Sequence, residues 1–218
     1  WDTTLNWQPF DMTSLGLTLP YLIQRAPAGT IAGHAQRARP HVGLGPDVTT
    51  NGIGDVILSG DQDLLKQNQS NPLDVGISAQ ITLPTARVSK GLGSGKAGYT
   101  FQGDLGHTFG KFYCDIRGGY SLLGSPGKVD VNGVSEVLRY RNVWMGSASA
   151  IYDITNTFIV DGAFQSERSS EKGFPPADDL TFGTLYKFHA MKLRLTLLRG
   201  LSRSSPDWGG TALLGVDL

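Results

Sequence analysis

Gly93-Ser94-Gly95-Lys96 is the stretch whose residue types first invite chemistry. Backbone amides at closely spaced glycines, followed by a lysine, can cradle a phosphate. A phosphate loop also needs a glycine five positions before Gly95 and a Ser or Thr after the lysine. Lys90 and Ala97 stand there instead. The stretch therefore reads as a loop. The four histidines, His34, His41, His107 and His189, show no metal-ligand spacing. His34 and His41 share one segment with Arg37 and Arg39, where a weak ion site has room. His107 has no identifiable serine partner, and no Gly-x-Ser-x-Gly elbow occurs. The single cysteine, Cys114, excludes an intrachain disulfide and a cysteine-based zinc site. Its apolar neighbours make it a passive buried thiol. These residues predict no enzyme, no cofactor and no metal. A formal net charge of zero gives no bulk electrostatic case for nucleic acid.

The remaining polar residues are placed by strict alternation. Val75, Ile77, Ala79, Ile81 and Leu83 oppose Gly76, Ser78, Gln80 and Thr82. Tyr99, Phe101, Gly103, Leu105 and Phe109 oppose Thr100, Gln102, Asp104, Gly106 and Thr108. Phe112, Cys114, Ile116, Tyr120 and Leu122 oppose Lys111, Tyr113, Asp115, Arg117 and Ser121. A period of two means strands with one apolar and one polar face. Each could reach about 10 residues, the span of a tilted transmembrane strand rather than of a globular one.

Further strands are expected over Thr3–Phe10, Ser14–Ile23, Asp55–Leu65, Tyr140–Ile154, Phe158–Arg168, Leu180–Phe188, Lys192–Leu201 and Trp208–Leu218. Both parities of Tyr140–Ile154 carry apolar residues, so its facing is open, and a bulge would explain it. Long loops near 24–51, 84–96, 123–138, 168–178 and 202–207 alternate with short turns near 11–13, 66–73, 110, 153–157 and 189–190. Asn132-Gly133 predicts a small hairpin inside the loop 123–138. That alternation is the pattern of an all-β, antiparallel outer-membrane barrel. Eleven strands are visible. Because bacterial single-chain barrels have even counts, twelve is expected, with a strand before Trp1, or ten if residues 1–10 stay outside the wall. Residues 1–218 read as one domain without a transmembrane helix.

The polar rows would line the lumen: Gln80, Gln102, Asp104, Asp115, Arg117, Asp161, Gln165, Glu167, Lys187, Lys192 and Arg194. They read either as a salt-bridged interior that closes the barrel or as a constriction that selects permeants. Trp1, Trp7, Tyr21, Phe109, Phe112, Tyr152, Phe188 and Trp208 lie near strand ends and would form aromatic girdles.

Several motifs carry a family resemblance. They are Leu19-Pro20-Tyr21-Leu22, Gly52-Ile53-Gly54-Asp55-Val56, Leu83-Pro84-Thr85, Lys90-Gly91-Leu92-Gly93-Ser94-Gly95-Lys96 with Tyr99, Arg141-Asn142-Val143-Trp144, and Ser204-Ser205-Pro206-Asp207-Trp208-Gly209. In order and over nearly the whole chain, they resemble the Gly-rich outer-membrane barrels named for the MetA pathway of phenol degradation, also called transporter barrels. The chain departs from that pattern at Ala86-Arg87, where the family has an acidic Gly-Asp pair, and at Leu218, where it has an aromatic residue. The resemblance implies a barrel of roughly twelve strands in the bacterial outer membrane that passes small, hydrophobic or aromatic molecules. Implied partners are the lipid bilayer with its lipopolysaccharide and a small-molecule permeant. The rival reading is a non-conducting barrel that anchors or joins a cell-envelope complex of partner proteins.

Overall fold

The computed structural model describes residues 2–27, 46–68, 70–125, 127–170, 173, 175–189, 191–205 and 207–216. His34, His41, Arg37, Arg39 and Trp1 lie outside the described residues. The wall begins with β1 (Asp2–Phe10) and β2 (Thr13–Pro27), followed by β3 (Asp47–Ile53) and β4 (Val56–Leu65). β5 (Asp74–Leu83), β6 (Gly98–Phe109) and β7 (Phe112–Leu123) are the three regular strands. A hairpin of β8 (Gly127–Val131) and β9 (Val134–Leu138) follows. β10 (Val143–Asp153), β11 (Phe158–Glu167), β12 (Ala177–Phe188), β13 (Met191–Gly200) and β14 (Trp208–Val216) complete it. All pairings are antiparallel, in the order β1-β2-β4-β5-β6-β7-β10-β11-β12-β13-β14.

β3 leaves this path and pairs with the upper part of β2, from Tyr21↔Ile53 to Pro27↔Asp47. β4 pairs with the lower part, from Thr13↔Gln62 to Thr18↔Ile57. The two are one stave broken at Gly54-Asp55, so the described residues form eleven staves. This corrects the loop expected over 24–51: both of its ends are strand. Arg25 and Asp47, an ion pair at 3.8 Å, sit where polar residues hid the alternation. β1 and β14, the two ends of this order, run in the same direction.

One face of every stave is apolar. Leu5, Leu15, Leu58, Ile81, Phe101, Ile116, Phe182 and Leu197 all carry large exposed apolar surface on it. A soluble sheet would cover such a face. β10 shows no register shift against β7 or β11, which corrects the expected bulge. Trp144, Ala148, Ala150 and Tyr152 are on the apolar face, opposite Tyr120, Ile116, Cys114 and Phe112. Val143, Met145 and Ile151 share the polar face with Ser121, Gly119 and Tyr113.

Candidate functional site: the polar face and the loops above it

Cross-strand register fixes which polar residues are neighbours. Gln80 lies between Ser59 and Thr100. Gln102 lies between Ser78 and Gly119, and its amide donates to the Met145 thioether at 3.0 Å. Asp104 lies between Gly76 and Arg117. A Cβ on Gly76 would stand 2.8 Å from the Asp104 carboxylate oxygens, so only glycine leaves that carboxylate its place. Asp115 accepts a hydrogen bond from Ser149. Gln165 opposes Ser147 and Asp179, and Glu167 opposes Met145 and Ala177. Lys187 opposes Lys192. The Arg194 Nη2 reaches both oxygens of Asp161 at 3.1 Å.

The register also brings in residues that the alternation alone did not single out. Asp61 and Asp63 on β4 and Asp74 on β5 share this face. Ser14 donates to Asp61 at 3.3 Å, and Lys66 pairs with Asp63 at 3.1 Å. Alternation of Asp61 and Asp63 with Gly60 and Gln62 was the available signal.

Trp7, Tyr21, Phe109, Phe112, Tyr152, Phe188 and Trp208 fall on the apolar face, near stave ends. Phe112 and Tyr152 meet at 6.5 Å between ring centroids, and Tyr186 stacks on Phe188 at 5.6 Å. The Arg199 guanidinium sits 4.7 Å over the Trp208 ring. His107 is also on this face, edge-on to Phe109, with Nδ1 against the Pro72 carbonyl.

Above the staves, the long loops are tied to one another. The loop after β5 holds a one-turn 3-10 helix, Val88–Lys90, and packs over the break in the third stave. The Ala86 amide donates to Asp55 at 2.9 Å, and Val56 donates to the Thr85 hydroxyl at 2.9 Å. Gly54 donates to the Pro20 carbonyl at 2.8 Å. Leu92 is 2 % exposed and packs on Gly52. The Leu-Pro-Tyr, Gly-Ile-Gly-Asp, Leu-Pro-Thr and Gly-Leu-Gly motifs therefore meet at one point. The Gly-rich stretch that resembles a phosphate cradle is the packing partner of Asp55.

The β8–β9 hairpin turns at Asn132, with a φ of 52°, and Gly133, with a φ of 81°. Both values fit the inward-twisting hairpin turn that Asn-Gly favours. Its tip does not stand free. Val131 is 1 % exposed, and Asn132 donates to the Ser89 carbonyl at 2.9 Å. Val131→Asp puts a charge into that contact, at an expected cost of at least about 2 kcal/mol to hairpin docking. Faster trypsin cleavage after Lys128 in the folded protein is the readout. An unchanged rate would mean that the tip is not held there.

No family model matches the chain, and no curated protein matches it. Solved structures do. An outer-membrane channel from Pseudomonas putida F1 superposes with a TM-score of 0.68 at 15 % identity, over 98 % of this chain and 78 % of that one. The Pseudomonas putida toluene transporter TodX gives 0.54 at 11 %, over 100 % and 73 %. A Pseudomonas aeruginosa FadL homologue gives 0.51 at 11 %, over 98 % and 64 %. The chain has the antiparallel β-barrel fold of outer-membrane channels and transporters. In that fold the apolar face meets lipid and the polar face looks inward.

Proposed function

We propose that the protein is an outer-membrane channel through which small molecules diffuse passively, as the motif resemblance to the phenol-degradation barrels implies. The observation that carries this reading is Asp104 opposite Arg117. They face each other across β6 and β7, yet form no ion pair. An interior closed by salt bridges would join such neighbours, because a charge left unpaired away from water is costly. Charges held apart on an inward face call for water around them. TodX is a toluene transporter, which favours aromatic molecules among the permeants.

The third stave is where a permeant leaving sideways would part the wall. There the Thr85 hydroxyl bridges the break, accepting from Val56 and donating to the Gly54 carbonyl at 3.3 Å. Opening that route means undocking the loop after β5.

Reconstitution tests the channel. The expected result is steady single-channel conductance in planar bilayers and swelling of proteoliposomes in small neutral solutes. Removal of residues 127–138 is expected to raise conductance, since the hairpin and its partner loop narrow the mouth. Neither conductance nor uptake, even in that deletion, would overturn the reading. The rival, a non-conducting barrel in an envelope complex, predicts instead a stoichiometric protein partner on purification.

A further inference from the structure

Among the described side chains, charge enters the polar face on β4 to β7 and on β10 to β13. On β11 to β13 the two signs match: Asp161, Glu167 and Asp179 stand against Lys187, Lys192 and Arg194. β10 adds Asp153. On β4 to β7 the signs do not match. Asp61, Asp63, Asp74, Asp104 and Asp115 face inward there, with Arg117 as the strand cation. The sign of the lumen is therefore set on four adjacent staves, in the half near the short turns.

What each carboxylate meets decides whether its charge survives. Lys66, in the short turn, pairs with Asp63 at 3.1 Å and offsets it. Asp61 accepts from the Ser14 hydroxyl at 3.3 Å, Asp74 from the Gln67 backbone amide at 2.6 Å, and Asp115 from the Ser149 hydroxyl. These donors are neutral, so they orient a carboxylate without cancelling it. Asp104 lies over Gly76, whose missing side chain gives it room on the side away from Arg117. Among the described residues, Asp61, Asp74, Asp104 and Asp115 thus stand against Arg117 alone. No group of three acidic or histidine side chains converges to hold a metal ion among the described residues. The patch acts as a field, not as a chelating site, and low-dielectric walls focus that field into the lumen.

We propose that the lumen is cation-selective, that Asp61, Asp74, Asp104 and Asp115 set the preference, and that small organic cations pass ahead of carboxylates of like size. The inference rests on the channel reading above and names the permeants that reading leaves open. A mean potential of about −1 kT per unit charge enriches cations and depletes anions, for a permeability ratio of about sevenfold. Neutral aromatic molecules feel no such bias. The selection acts on ionised derivatives, so an aromatic amine is admitted and an aromatic acid is turned back.

Zero-current potentials across planar bilayers read this directly, because potassium and chloride move almost equally fast in water. In a KCl gradient spanning about 0.1 M, where the Debye length is about 10 Å, the dilute side should become positive, with a potassium-to-chloride ratio of about sevenfold. At about 1 M, where the Debye length is about 3 Å, the ratio should fall toward one. Asp104→Asn with Asp115→Asn should bring it below about threefold, while Arg117→Gln should raise it. Both variants remove charge from the same two staves, so shifts in opposite directions separate the field from a loosened wall. Lys128→Gln, on the hairpin, should leave the ratio unchanged. Benzylammonium chloride in place of KCl should keep the sign, with the organic cation crossing ahead of chloride. A KCl ratio of one or less, the same direction of shift in both lumen variants, an equal shift in Lys128→Gln, or a reversed sign in benzylammonium chloride overturns the inference and leaves the channel intact. A barrel that conducts in none of these salts overturns the channel reading as well.

Discussion

Ile116→Arg is expected to destabilise the folded, membrane-inserted protein by about 2–4 kcal/mol, the cost of a cation near the middle of a barrel's lipid-facing wall. Ile116 is 58 % exposed, in the middle of β7, between Leu105 on β6 and Ala148 on β10. Nothing polar in that row can receive a guanidinium. A soluble sheet would show the opposite sign, because replacing an exposed isoleucine with arginine removes apolar surface from water. The partner experiment is Ser78→Arg on the other face, between Asp61 and Gln102. Its cost is expected to stay within about 1 kcal/mol, since the new cation meets water and a carboxylate. Urea unfolding from phospholipid vesicles, followed by tryptophan fluorescence, gives both numbers. Equal costs would refute the assignment of faces, and with it the membrane reading.

The same two faces show what alternation can and cannot reveal. On β5, β6 and β7 the parity is unambiguous, since Ile77, Phe101 and Ile116 have only small or polar residues on the other side. On β10 it is not. Val143 is fully buried on the polar face while Trp144, at 62 % exposure, meets lipid. Both are apolar, for different reasons: one is buried on the inward side of the wall, the other is solvated by hydrocarbon. A period of two cannot distinguish these, and only the ladder to Ser121 and Tyr120 does. β3 was illegible because Thr49 and Asn51 face outward above the wall, where lipid does not demand apolar residues.

The node at Asp55 lay beyond the reach of the sequence as well, although its motifs were visible. Gly54-Asp55, Thr85-Ala86 and Leu92-Gly93 read singly as turn signals, because their contact spans some thirty residues of chain. Once joined, they make a steric demand that a double-mutant cycle can test. Gly93 is buried, and a Cβ there would run into the Asp55 carboxyl group, with Cγ at 2.6 Å. Gly93→Ala alone is expected to undock the loop 84–96, because the carboxylate also holds the Ala86 amide and cannot move aside without losing it. Asp55→Ala alone should weaken docking by about 1.5–3 kcal/mol, the worth of a hydrogen bond to a charged acceptor. The two together should be less damaging than their sum by at least about 1 kcal/mol, since removing the carboxyl group removes the clash. Trypsin reports docking directly, because Arg87 precedes the 3-10 turn and Lys90 ends it, and both are protected while it is folded. Loop undocking should also widen the mouth, so single-channel conductance should rise in Gly93→Ala and fall part of the way back in the double variant. Additive trypsin rates would mean that Gly93 answers to something other than Asp55. Coupled rates with unchanged conductance would keep the node, but would place the narrowest part of the channel lower, among the charges near the short turns.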